Sequence, residues 1–301
     1  MADLIIPRSG PRVTPLSPQQ VNPTVRAEFE KTVVTWGIPN NLIRTMARFP
    51  QLALTEVDYA NSFIFDDGPY IVWPRPGSQD PSVNVLFQAA GFIDPITKEL
   101  VINLVSLLNR SRYSITHHTV IALNRIGAAL LRGTAPESRP ARAEAMLLHL
   151  VDATGKPDFE NQTFGRQPLY DEYQLWALRF TTKMRASSHS ITDDDIREGR
   201  RLCRSRAMSQ ISQGPLATQF GPAGPDEAYI DAYVDGMLVE LTWCIAHFSG
   251  LLNHWFTVLR VRDEDNAERD GIDFVSFYNR VVPESIKVRN NNLLGQDGWG
   301  S

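Results

Sequence analysis

The stretch from Lys98 to Ala122, KELVINLVSLLNRSRYSITHHTVIA, leaves little choice of fold. Asp94 can cap a helix at its start, and Pro95 can hold the first helical position, where its missing N–H costs nothing. Leu100, Leu104, Leu107 and Leu108 then recur at helical spacing, which places Glu99 in the first turn of an amphipathic helix. Asn109-Arg110 interrupts the pattern, and Ser111 can cap a second helix through Tyr113, Ser114, His117 and His118. At about 100° per residue, positions 111, 114 and 118 fall within an arc of ~60°. Ser111, Ser114 and His118 are therefore expected on one face. His117 points well away from it and is expected at the surface or at an interface.

Glu99, eleven residues, Ser111-Arg-Tyr-Ser114, three residues, His118 and then Ala122 form a pattern that resembles a known family. It is similar to the signature of the alkylhydroperoxidase D-like (AhpD-like) and carboxymuconolactone decarboxylase-like superfamily: Glu, eleven residues, Cys-x-x-Cys, three residues, His. Glu99, Tyr113 and His118 fall on that family's acidic, aromatic-or-His and terminal His positions. A second likeness is the run W-G-I-P-N-N-L-I-R-T-M-A from Trp36, which resembles the family's opening turn between two helices. A third is Leu251-Leu252-Asn253-His254-Trp255, which resembles its closing helix. Both redox cysteines of the signature are serine here. The resemblance implies the fold and the pocket. It does not imply reductase activity, because a serine hydroxyl has no place on the oxidation ladder of a thiolate.

The remainder reads as helical packing around this hairpin. Five prolines between Pro7 and Pro23 predict an extended arm, residues 1–24, lying on the domain or on a neighbouring subunit. A helix is expected from Thr24 to Trp36, then a short one from Asn40 to Phe49 and another from Pro50 to about Phe63. Residues 65–93, with seven prolines and glycines around Tyr70, Trp73 and Phe87, form a long loop that is either a lid over a site or a structural loop sealed by its own aromatics. Further helices are expected at 141–151, 170–186, from the Thr192 cap onward, and at 226–259, with a second loop over 207–225. No strand alternation is visible, and the tail from Lys287 reads as polar, mobile or docked on a partner. The expected fold class is all-α: an AhpD-like helical domain over 25–260, the Pro-rich arm before it and a C-terminal extension, 261–301, after it.

Composition removes several function classes. A net charge of −4 in 301 residues gives no electrostatic case for nucleic acid. The most apolar run, 236–252, is broken by Glu240 and His247 and falls short of the ~20 residues of a membrane span. No secretory leader is read in residues 1–12, so a cytoplasmic location is expected. Cys203 and Cys244 are the only cysteines and form no Cys-x-x-Cys, which points to free thiols in a reducing compartment. Adjacent His117 and His118 diverge on a helix and are not the i, i+4 ligand pair of helical zinc sites, so no metal is expected. No Gly-rich strand–loop–helix marks a phosphate cofactor, and none is expected.

These residues support acid–base chemistry. Glu99 can orient the His118 imidazole as a general base, while Tyr113, Ser111 and Ser114 hold a substrate oxygen. Trp73, Asn253 and His254 are candidates for closing the pocket over a small molecule. The expected function is a cofactor-free lyase, decarboxylase or isomerase acting on a small organic acid or carbonyl compound. The alternatives are a redox-inactive relative of the peroxidases, its cysteines replaced by evolution or engineering, and a non-catalytic ligand-binding or assembly protein. A homo-oligomer is expected from the resemblance. The structural alternative for each residue is plain: Ser111 as a cap, Ser114 bonded back to its own helix, and Glu99–His118 as a tie between two helices.

Overall fold

A computed structural model describes residues 3–7, 9–30, 40–59, 71–74, 84–87, 91–129, 136–212, 214–220, 224–295, 298 and 299. In chain order these hold α1 (Pro23–Glu30), α2 (Asn41–Met46), α3 (Pro50–Tyr59), the hairpin β1 (Ile71–Pro74) with β2 (Asn84–Phe87), α4 (Pro95–Leu108), α5 (Arg112–Ala129) and α6 (Arg139–Leu148). A two-residue hairpin, β3 (Thr163–Phe164) with β4 (Gln167–Pro168), precedes α7 (Glu172–Ala186), α8 (Asp193–Ile211), α9 (Gly214–Thr218) and α10 (Glu227–Ala246). A π-helical turn, His247–Leu252, joins α10 to α11 (Asn253–Leu259), and α12 (Ala267–Asp270), α13 (Phe274–Val281) and α14 (Glu284–Leu294) complete the order. The described chain is thus mostly helical.

The centre is α4. Asp94 caps it by accepting from the Thr97 N–H at 3.0 Å, with Pro95 at the first position. Its leucine stripe, Leu100, Leu104 and Leu107, packs into a core shared with Ile115, Ile126, Met146, Phe274 and Leu294. The opposite side, Val101, Ile102 and Val105, enters a second core with Phe29, Ile43, Trp176, Tyr233 and Phe248. A helix apolar on both sides belongs in the interior. The leucine stripe alone predicts an amphipathic α4; Val101, Ile102 and Val105 make its other side apolar as well.

A tight turn folds α5 back along α4. Asn109 ends α4, Arg110 takes a left-handed φ of 49°, and the Ser111 N–H donates to the Ser106 carbonyl at 3.0 Å. Polar side chains stitch the hairpin. Asn103 Nδ2 donates to the backbone oxygens of Glu99 (2.8 Å) and His118 (3.1 Å), and the Ser106 and Ser114 hydroxyls meet at 2.6 Å.

Several expectations change. Residues 207–225 were read as a loop, yet α8 runs to Ile211 and α9 follows at Gly214, because Leu202, Ala207, Ile211 and Leu216 keep a buried helical stripe. The stretch 65–93 contains the β1–β2 pair, with Trp73 opposite Val85, although strands were not expected. Residues 287–294, expected as part of a mobile or docked tail, lie in α14, whose Ile286, Leu293 and Leu294 are core residues. Its buried polar groups are paired: Asn290 Nδ2 donates to the Tyr278 hydroxyl at 2.8 Å and Arg289 to the Leu147 carbonyl at 2.8 Å.

The proline-rich arm lies on its own chain. The Leu4 N–H donates to Asn279 Oδ1 at 2.8 Å, the Arg12 N–H to the Leu259 carbonyl at 2.9 Å and the Leu16 N–H to the Arg44 carbonyl at 3.2 Å. The expected helix end at Trp36 and the run 36–39 lie outside the described residues. Among the described residues no helix is long and apolar enough to cross a membrane.

Candidate active site

Two adjacent residues of α5 enter two different buried networks. His118 turns back toward the start of α4, where its Nδ1 lies 3.4 Å from Glu99 Oε2. Both side chains are nearly closed off, Glu99 at 1% and His118 at 8% exposure. Glu99 Oε1 is buried with no hydrogen-bond partner among the described residues. A buried carboxylate oxygen without a partner is costly, and such groups in native folds call for a reason. Phe248, from the π-helical turn, stands edge-on to the His118 ring, with centroids 5.0 Å apart.

His117 differs from the surface residue that helical geometry suggested: it is buried. Its ring is stacked between Tyr113 and Phe274, each 3.9 Å away between centroids. Nε2 lies 3.0 Å from Glu264 Oε2, and Nδ1 lies 3.0 Å from the Tyr113 carbonyl. Glu264 Oε1 accepts from the Asn41 N–H and from the Tyr113 hydroxyl at 3.2 Å. Next to it, Asp263 accepts from Thr116 Oγ1 at 2.6 Å and Arg112 Nε at 2.7 Å. Burial alone would lower the His117 pKa, but the Glu264 carboxylate and its hydrogen bond outweigh it, so the imidazole is held above its ordinary 6.5. Burial would raise Glu264, yet His117 and the Asn41 N–H keep it below its ordinary 4.5. Burial first, and the Glu264 charge second, push the Tyr113 phenol well above its ordinary range.

The expected site residues therefore separate. Glu99 and His118 are brought together. Ser114 sits one turn before His118, but Ser106 donates to the Ile102 carbonyl at 2.6 Å, so the Ser114 proton is the one shared with Ser106. Ser111 stands at the start of α5 with its hydroxyl buried and without a partner among the described residues, so its side chain is not seen to cap the helix. Tyr113 belongs to the His117–Glu264 network. Asn253 is fully buried, with neither amide atom partnered among the described residues. His254 is exposed and lines a different cleft, of about 400 Å³, with Asn109, Arg185, Ser188 and Ser249. The Trp73 side chain lies outside what is described.

The sequence reading missed a set of charged residues close to Glu99. Lys98 Nζ lies 2.6 Å from Glu240 Oε1, and both residues are buried. Glu240 Oε2 also accepts from the Phe92 and Ile93 N–H groups. A side chain at Gly91 would strike the Glu240 carboxylate at 2.2 Å, and φ there is +95°, so only glycine fits. Glu56 and His247 meet at 3.4 Å, with Tyr59 against the His247 ring at 4.0 Å. Burial, eased by Lys98 and reinforced by Glu240 and Glu99, pushes the Cys244 thiol up to about 12, and burial takes Cys203 to about 12 as well. Such thiols carry almost no thiolate at neutral pH. The one available signal was the presence of Glu240 and His247 inside the most apolar run of the chain.

No protein-family model matches this chain, and no curated protein matches it.

Proposed function

We propose that the chain is a cofactor-free acid–base enzyme of the AhpD-like, carboxymuconolactone decarboxylase-like type, acting on a small organic acid or carbonyl compound. The observation that carries this reading is the Glu99–His118 pair. Glu99 faces Nδ1 of His118, which fixes the ring with Nε2 as its remaining nitrogen. A carboxylate that orients one imidazole nitrogen leaves the other to take a proton, worth about 10²–10⁴ in rate. The unpartnered Glu99 Oε1 marks a site whose polar groups are not all used in holding the fold. Ser-x-x-Ser in place of the cysteines, together with two buried thiols of high pKa, favours proton transfer over peroxide reduction and fits a reducing, cytoplasmic setting.

The test is deuterium uptake from D2O at the carbon next to the carbonyl of pyruvate and of acetoacetate, followed by NMR. Uptake above the buffer rate that disappears in His118→Asn supports the reading. Equal uptake by wild type and a folded His118→Asn protein contradicts it.

A homo-oligomer is part of the same proposal. Val239, Trp243, Leu251 and Val258 are exposed along one side of α10, the π-helical turn and α11, which suits contact with a second copy. Light scattering at micromolar concentration checks it, and a monomer would contradict it.

A further inference from the structure

We infer that Glu56–His247 is a second carboxylate–imidazole pair of the Glu99–His118 site, supplying a general acid opposite the base; this rests on the acid–base reading of Glu99 and His118. The two pairs flank one ring. Phe248 has the His118 centroid 5.0 Å from it at an interplanar angle of 88°, and the His247 centroid 5.4 Å from it at 80°. Both histidines are nearly buried, at 8% exposure each. The carboxylates grip opposite nitrogens: Glu99 faces Nδ1 of His118, while Glu56 faces Nε2 of His247. His118 Nε2 and His247 Nδ1 take no part in the hydrogen bonds found among the described residues.

The backbone supports the same placement. His247 opens the π-helical turn between α10 and α11. π-turns inside helices are uncommon and recur at functional sites, because the extra residue re-aims the side chains around it. Glu99 of α4 meets His118, Glu56 and Tyr59 of α3 meet His247, and Cys244 of α10 lies within electrostatic reach of Lys98, Glu240, Glu99 and Tyr59. Lys98 is tied to Glu240 by a 2.6 Å ion pair.

The reaction this geometry fits is enolisation of a small carbonyl acid. A C–H bond next to the carbonyl breaks and its proton forms an N–H bond at His118 Nε2. The electron pair moves to the carbonyl oxygen, which takes a proton from Nδ1 of protonated His247. His118 ends protonated and His247 neutral, and proton exchange with solvent resets both. No oxidant, reductant or metal enters the balance. A positioned acid and a positioned base together are the usual way a single site runs both halves of such a step.

The test has two arms, both on the full-length protein. In the first, histidine ring-nitrogen NMR follows His118 and His247 as pH is varied, in the wild type and in His118→Asn, His247→Asn and Glu56→Gln. Two imidazoles sharing a buried site disfavour each other's charge, so removing one should raise the midpoint of the other by about half a pH unit or more. Midpoints indifferent to each other's removal would overturn the inference. In the second arm, deuterium uptake into pyruvate and acetoacetate is measured against pH. The wild type should give a bell-shaped profile. His247→Asn should lower uptake at least tenfold and remove the fall at high pH, a change that a purely structural role would not produce. Loss of uptake in His118→Asn, with rate and profile unchanged in His247→Asn, overturns the second pair and leaves the first standing. No uptake by the wild type overturns both.

Discussion

His117 and His118 are neighbours on one helix, and their surroundings differ in how far the buried polar groups are satisfied. Around His117 the charged and titratable groups are matched, and only Asn41 Oδ1 at the edge of the network lacks a partner among the described residues. Glu264 receives the imidazole, a phenol and a backbone N–H, and Asp263 receives Arg112 and Thr116. Around His118 they are not. The contact to Glu99 is long, at 3.4 Å, and one carboxylate oxygen has no partner. A buried polar network with every member satisfied rigidifies a fold. One that leaves members free costs stability and keeps them available for a substrate. The saturated network also joins distant parts of the chain: Arg112 donates to the carbonyls of Ile5 and Gly298, and α2 reaches Glu264 through Asn41.

The largest expected effect comes from breaking the saturated side. Glu264→Ala would leave the His117 imidazolium, the Tyr113 hydroxyl and the Asn41 N–H without their acceptor. Removing one partner from a buried pair costs about 3–5 kcal/mol, so urea unfolding should show a loss of that size. If Glu264→Ala unfolds within 1 kcal/mol or so of wild type, the network is not what clasps residues 261–265 to α5.

The pH dependence sharpens the comparison. The folded pKa of His117 is raised, so its contribution is complete below the ordinary 6.5 and is lost as pH rises through the higher folded value. The folded pKa of Glu264 is lowered, so its contribution is complete above the ordinary 4.5 and is lost as pH falls through the lower folded value. The pair is therefore at full strength between about pH 4.5 and 6.5. The stability difference between wild type and His117→Gln should be greatest in that window and shrink toward pH 9. A constant difference from pH 5 to 9 would mean that the charge on His117 contributes nothing to stability.

Smaller effects test the hairpin that carries both histidines. Ser106→Ala removes the acceptor for the Ser114 proton and should cost about 1–3 kcal/mol, because Ser114 is buried. Arg110 is exposed and holds φ at 49°, a conformation that favours glycine. Arg110→Gly should raise the thermal midpoint by a few degrees, equivalent to about 1 kcal/mol. A lower midpoint would show that the Arg110 side chain stabilises the turn by more than the backbone conformation costs.

The hairpin was legible because its signals are local: the Asp94 cap, Pro95, the leucine spacing and the Asn109-Arg110 break all act within a few residues. Helical geometry also separated His117 from His118 correctly as directions. It could not say what lies in each direction. Glu264 is 147 positions from His117, and nothing within α5 marks that face as covered. The same holds for α14. Its polar composition reads as a tail, yet Ile286, Leu293 and Leu294 enter the core while Tyr278 and the Leu147 carbonyl receive its Asn290 and Arg289. Glu240 and His247 were visible as interruptions of an apolar run. Their partners, Lys98 and Glu56, come from other helices, so spacing alone could not pair them.

The most direct measurement of the central claim is a double-mutant cycle on deuterium uptake, with thermal stability recorded for every protein. Glu99→Gln and His118→Asn should each lower uptake by about 10²–10⁴, and the double variant should add little, because residues sharing one role are not additive. His117→Asn should instead lower the thermal midpoint, and the fraction that stays folded should retain its uptake. Folded Glu99→Gln and His118→Asn proteins with wild-type uptake would contradict the account and make both networks structural.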